Sequence, residues 1–347
     1  MNDWLDLAVK PLDSAIYEQA LAHQAVLTKP PKALGQLEDI AVHFAQMQGT
    51  VKPKLDKVHI SVFAADHGVA DEGVSAFPQA VTAEMVKNFV RGGAAISVLA
   101  DYYQATFEII DVGVKDFAEM DGVISHRAGN GTANFAKQSA MSRDELNIAL
   151  QAGAEAAQRA SESDCFVAGE MGIANTSSAT AMACLLLNKS PQQLTGAGTG
   201  LDNAGIQHKA GVIEQALALH HSLDSEDKFA VLQAVGGFEI AAMVGAYLRC
   251  AQLGVPIIVD GFISTAAALQ AIHINKDVQN WMLFAHTSAE QGHRILLEAL
   301  QAQAILNLNM RLGEGSGAAT AIAIIQQAIA LHNNMATFTE AGVSEKA

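Results

Sequence analysis

The chain has 347 residues, half of them hydrophobic, 16% charged and 5% aromatic. That length allows one large α/β unit or two domains, and the composition argues against a disordered chain. With 21 basic against 36 acidic residues the net charge is -15, which argues against nucleic acid and anionic membrane surfaces as partners.

The first residues, "MNDWLDLAVKPLD", lack the basic and apolar regions of a secretory signal. No uninterrupted apolar run reaches membrane-spanning length. Cys165, Cys184 and Cys250 are far apart, lie in apolar sequence and form no CxxC, as expected of buried free thiols in a reducing compartment. A cytoplasmic protein is expected.

"KPPKALG" is a rigid, non-helical entry, and 34–49 then reads as an amphipathic helix ending at Gly49. Apolar runs at 58–66, 105–114, 164–172, 256–262, 281–286 and 304–312 read as strands. Helical patterns lie at 82–101, 142–161, 204–221, 237–253, 265–274 and 289–301. This alternation predicts a mostly parallel sheet with helices on both faces. The helices at the two chain ends have no strand partner, so a small helical domain from 1–50 and 320–347 is expected beside an α/β domain at 51–319.

The predicted strands end on Asp66-His67, Asp111, Gly169-Glu170, Asp260-Gly261, His286 and Gly313-Glu314. Ligands of open parallel sheets bind at the carboxyl ends of the strands. A metal site is not expected: there is no HExxH, His220 and His221 point apart on a helix, and Asp66-His67 is a single pair. No P-loop occurs, and neither "GAGTG" nor "GEGSG" matches GxGxxG after a first strand.

"GEMGIANTSSAT" (169–180) leaves a strand through glycines and enters a helix. Its start is open to two readings: free N–H groups facing a phosphate, or simple N-capping by Asn175 or Thr176. Lys209 follows "GAGTG" either as a point charge for the same anion or as a surface lysine. In "NMRLGEGSGAA" (309–319), one carboxylate, Glu314, stands among glycines between apolar flanks. Residue spacing alone names no substrate for these groups.

The sequence resembles the nicotinate-nucleotide:dimethylbenzimidazole phosphoribosyltransferases of cobalamin nucleotide-loop assembly. The likeness runs nearly end to end, through "KPPKALGQLE", "FAADHGVADEGVSAFPQAVTAEMVKNFVRGGAAI", "IDVGV", "GNGTANF", "AMS", "GEMGIANTSSA", "GAGTG", "VGGFEIAAMVGA", "DGFIS", "FAHTSAEQGH" and, most specifically, "MRLGEGSGAA". The chain departs from the family pattern at Lys32-Ala33, Gln36 and the Thr176-Ser177 pair.

The resemblance implies a Rossmann-like α/β domain with a small helical domain, in a homodimer, and no cofactor. It implies transfer of phosphoribose from nicotinate mononucleotide to dimethylbenzimidazole, with Glu314 as the base. It places Glu170, Gly172, Asn175, Thr176, Gly198, Lys209 and Ser288 around the nucleotide and its phosphate. Phe77, Met85 and Leu312 would line the slot for the base, although core packing is the commoner role for Phe77 and Met85. Asp66, His67, Asp260, Gly313 and Gly315 would support these groups. Two alternatives are another nucleotide-dependent transferase or isomerase on the same fold, and a non-catalytic nucleotide sensor. The intact Glu314 loop argues against both.

Overall fold

A computed structural model describes residues 3–344. Its centre is one six-stranded sheet, β1 (Val58–Ala65), β2 (Thr106–Gly113), β3 (Val123–Ser125), β4 (Cys165–Met171), β5 (Ile257–Val259) and β6 (Met282–Phe284). The order is β3-β2-β1-β4-β5-β6 and every pairing is parallel. The order reverses between β1 and β4, where an open sheet of this kind forms its ligand crevice. All eight residues of β1 are buried, as its near-continuous apolar sequence requires of a central strand covered on both faces.

Helices Arg143–Arg159, Phe238–Leu253 and Phe262–Ile274 pack in one group against the sheet. Ala80–Val90, Ala95–Tyr102 and Ser316–Asn334 form another. The tightest crossing joins Arg143–Arg159 to Phe238–Leu253. A Cβ on Gly153 would run into the carbonyl oxygen of Ala242, and one on Gly245 into that of Leu150. The two backbones touch there, as small residues permit. Ser142 starts the first of these helices with a capping box to Glu145. Helices Ser14–Val26, Gln36–Gln48 and Ser316–Asn334 also pack together. His332 ties them: its Nδ1 accepts from Gln24 Nε2 at 2.7 Å, so its Nε2–H donates to the Val51 carbonyl at 2.9 Å.

Four expectations change. The helix expected at 82–101 is two helices, because Gly92 has φ +77° and the chain turns through Gly92-Gly93 before Ala95–Tyr102 begins. No strand forms over 304–312. Leu306 makes one parallel bridge to His286, then Asn309 takes φ +56° and the chain leaves the sheet, with Leu308 and Leu312 exposed. The short strand β3 lies at the sheet edge and carried no apolar run to reveal it. The helix expected at 289–301 is confined to His293–Ala299, since 287–292 is spent on the cavity wall and its turns.

Candidate active site

A cavity of about 430 Å³ lies beyond the carboxyl ends of β4, β5 and β6. Twelve of the residues that the family resemblance places at the site line it: Phe77, Met85, Glu170, Gly172, Asn175, Thr176, Gly198, Asp260, Ser288, Leu312, Gly313 and Glu314.

Glu314 occupies an unusual corner. Gly313, Glu314 and Gly315 are consecutive left-handed residues, with φ of +87°, +64° and +88°. A non-glycine residue in this region costs roughly 1–2 kcal/mol. Glycines on either side keep the cost to one residue, and the turn brings the Glu314 carbonyl against Gly169, where any Cβ would collide. Glu314 is 6% exposed. Its Oε2 faces the start of helix Ala95–Tyr102 and accepts the Ile96 N–H at 3.4 Å. Burial raises its carboxyl above the ordinary range and the Asp260 charge adds to that, while the Ile96 and Ala95 amides pull it down.

Glu170 ends β4 beside it. Its Oε1 accepts the Glu314 N–H at 3.2 Å, and its Oε2 accepts from the Asn175 side chain. Burial pushes Glu170 well above the carboxylate range, against the Asn175 bond and reinforced by Glu239 and Asp260, which favours its protonated form. Asp260, from the end of β5, accepts the Ala318 N–H at 2.8 Å. It thereby caps helix Ser316–Asn334 from outside, where the N-cap Gly315 has no side chain to do so. His286 Nε2 lies 3.6 Å from Asp260 Oδ1, and Gly317 leaves room for that imidazole.

A cation stands behind the cavity wall at Thr176 and Gly198. Simple N-capping does not describe helix Asn175–Leu187: its N-cap is Ala174 at φ +76°, with no side-chain cap bond. Asn175 turns to Glu170 and Thr176 to Lys209, whose Nζ donates to Thr176 Oγ1 at 2.6 Å. Lys209 is 1% exposed, so the surface reading fails. It does not line the cavity; it stands behind Thr176 and Gly198, which do. Burial lowers its pKa to about 8, opposed by the charge of Glu290. Ser288 is fixed from below: its N–H donates to His293 Nδ1 at 2.8 Å, which leaves His293 Nε2–H for Thr265 Oγ1. Burial depresses His293 to about 3, so it stays neutral.

Asp66, His67 and Gly315 are also off the cavity wall. Asp66 accepts the Lys115 N–H at 2.8 Å and faces a separate cavity over Gln79 and Lys87. His67 is fully buried between Glu239 Oε1, at 2.6 Å, and Ser178 Oγ, at 3.0 Å. It backs Gly172, where a Cβ would stand 3.2 Å from the imidazole. Phe77 is 53% exposed and Leu312 59%, so Phe77 is a wall residue and not core. Sequence reasoning assigned no role to Thr199, Glu290 or Arg311, which line the cavity, or to Glu239 and Ile96 behind it. All five lie inside quoted motifs, but nothing in their spacing marked them. Among the described residues no group of three or more His, Cys, Asp or Glu converges as metal ligands do.

The family model described as "Phosphoribosyltransferase" matches residues 9–343. A nicotinate-nucleotide–dimethylbenzimidazole phosphoribosyltransferase of Pseudomonas putida KT2440 is 55% identical over 346 residues, covering 99% of this chain and 98% of its own. The chain belongs to the nicotinate-nucleotide–dimethylbenzimidazole phosphoribosyltransferase family. A relative of the same name from Xanthomonas axonopodis pv. citri (strain 306) is 53% identical over 347 residues, covering 99% of each chain. The crystal structure of the family's enzyme from Thermus thermophilus superposes with a TM-score of 0.90 at 40% identity, covering 96% of this chain and all of that one. The chain is therefore a phosphoribosyltransferase with the family's α/β fold. No helix among the described residues is long and apolar enough to cross a membrane.

Proposed function

We propose that this enzyme transfers phosphoribose from nicotinate mononucleotide to 5,6-dimethylbenzimidazole or a related base, giving α-ribazole 5'-phosphate and nicotinate, with Glu314 as general base. The observation that carries this reading is one cavity with a buried carboxylate in a left-handed corner, an apolar rim of Phe77, Met85 and Leu312, and a buried lysine behind Thr176.

The donor's base is a pyridinium cation, so its ring leaves as neutral nitrogen and needs no acid. One carboxylate suffices, where hydrolysis of a glycoside with a neutral leaving group generally uses two. The incoming benzimidazole attacks C1' with one ring nitrogen as the C1'–N bond to nicotinate breaks, and the pair of electrons goes to the pyridine nitrogen. The acceptor ring becomes cationic, and Glu314 takes the proton from its other nitrogen. Glu314 suits that task because burial raises its basicity while the Ile96 and Ala95 amides hold the carboxylate at the cavity wall. The phosphate is assigned to the end formed by Asn175, Thr176, Gly198 and Ser288, with Lys209 supplying charge through the Thr176 hydroxyl. The reading uses no cofactor and includes a cytoplasmic homodimer.

The test is to incubate the purified protein with both substrates and follow free nicotinate by chromatography. Release that depends on both substrates, with α-ribazole phosphate formed in equal amount, is the expected result. Donor left intact beside dimethylbenzimidazole would overturn the assignment.

A further inference from the structure

The 196–200 loop touches three parts of the cavity at once. Gly198 takes φ +53°, and a Cβ there would stand 2.8 Å from Thr176 Oγ1 and 3.1 Å from Lys209 Nζ, so its backbone rests on the cationic end. The Gly198 carbonyl accepts from Arg311 Nη1 at 3.1 Å, next to Leu312. Thr199 Oγ1 accepts the Ala76 N–H at 3.1 Å and lies 3.1 Å from Ser75 Oγ. Ser75 Oγ in turn accepts the Phe77 N–H at 3.3 Å. Whichever hydroxyl donates, the Thr199 oxygen is the shared centre of this knot.

The loop therefore joins the wall in front of Lys209 to Phe77 and Leu312, two of the apolar side chains at the rim. Phe77 and Leu312 are each more than half exposed, so core packing does not fix them. Their positions depend on polar ties through neighbouring residues, and Thr199 and Gly198 supply these.

Resting on the substrate assignment above, we propose that Thr199 is a specificity-determining positioning residue. It holds Ser75 and Ala76 and so sets where Phe77 stands over the acceptor. Its neighbour Gly198 lies on Thr176 and Lys209, so an anionic donor seated there orders the loop and forms the acceptor slot in advance. Donor and acceptor then bind with positive coupling, which by linkage acts equally in both directions. Ordering the slot before the acceptor arrives removes part of the cost of binding it.

Thr199→Val keeps the side-chain shape and loses the hydroxyl. One lost hydrogen-bonding centre predicts a rise of about threefold to tenfold in the acceptor KM, larger than any fall in kcat, with little change in the donor Kd measured without acceptor. Preference for dimethylbenzimidazole over unsubstituted benzimidazole narrows, and Thr199→Ser restores both. In parallel, hydrogen exchange of the 74–78 segment is followed on adding nicotinate mononucleotide alone. Exchange slows in the wild type and not in Thr199→Val. A Val variant with wild-type acceptor KM and a wild-type exchange response overturns the proposal, as does a donor Kd that is weakened to the same extent when no acceptor is present. The exchange measurement needs no turnover. It decides the coupling even where the wild type releases no nicotinate, an outcome that would instead overturn the substrate assignment.

Discussion

Gly169-Glu170 and Gly313-Glu314 are the same dipeptide at the edge of the same cavity, and both precede a helix whose N-cap is left-handed. Glu170 sits on a regular strand, and both its oxygens accept hydrogen bonds from neighbours that are fixed themselves. Burial then drives it toward the neutral acid. Glu314 sits in a strained turn, and its carboxylate meets only the amide end of helix Ala95–Tyr102 in addition to the cavity. Those amides oppose the burial that raises it. Two identical side chains are thus pushed to different extents by their surroundings, which is how paired acids acquire separate tasks. The difference comes from the partners: both carboxyls line the cavity, but Glu170 is held by the Asn175 side chain and the Glu314 amide, and Glu314 by the amides that start helix Ala95–Tyr102.

Glu314→Gln breaks the comparison most severely. Glutamine keeps the shape and can accept the acceptor's N–H, but it cannot take the proton. Turnover is expected to fall at least about a hundredfold with binding of both substrates retained, checked by steady-state rates and calorimetry. Near-normal turnover would move the base to Glu170 or Asp260.

Lys209 is expected to set a limit that belongs to neither corner. Its pKa is lowered to about 8 by burial, so the charge is present below that pH and lost above it. The donor KM should rise as pH climbs through this range, and in Lys209→Ala it should be high and flat across it. A donor KM in the Ala variant equal to wild type at pH 7 would remove the lysine from the donor end.

Ala95→Pro sharpens the contrast without touching either carboxylate. Ala95 is the first helical residue and Ala94 before it is extended, at φ -86° and ψ 158°, so proline fits the backbone and replaces the amide hydrogen facing Glu314 with a ring methylene. The remaining donors hold Glu314 less well, and its pKa should rise. Because Glu314 must be deprotonated to act, the acid limb of the rate profile should move to higher pH, with turnover recovering there. An unmoved limb would mean that the helix end does not tune the base.

Glu170→Gln is the mildest change. Where the acid is already neutral, a neutral amide of the same shape should cost less than about tenfold in turnover. A loss as large as that of Glu314→Gln would show that the charge of Glu170 is needed, and the two corners would be equal partners.

Some of this is legible in the residue order alone. Long buried segments such as β1 and β4 carry their own apolar signal, and the polar ends of the predicted strands pointed to one edge of the sheet, although the last of these, before Gly313-Glu314, is not a strand. The break at Gly92-Gly93 was harder to read, because a helical pattern can continue through a glycine pair unless a positive φ is required there. The stretch at 304–312 looked like a strand because it is apolar, yet Leu308 and Leu312 are exposed and the chain turns at Asn309. Lys209 and Thr176 are 33 positions apart in the chain, and no local pattern pairs them.

By itself, the sequence determined the alternation of strands and helices, the parallel sheet that follows from it, and the membership of the chain in its family, because periodicity and motif are local properties of residue order. Only the tertiary structure decided that Glu170 accepts the Glu314 amide, that Asp260 caps a helix whose own cap is glycine, and that helix Ala95–Tyr102 starts at the Glu314 carboxylate. It also decided that Lys209 is buried. Protonation and reach depend on what surrounds a group in space, and folding brings those neighbours from distant parts of the chain.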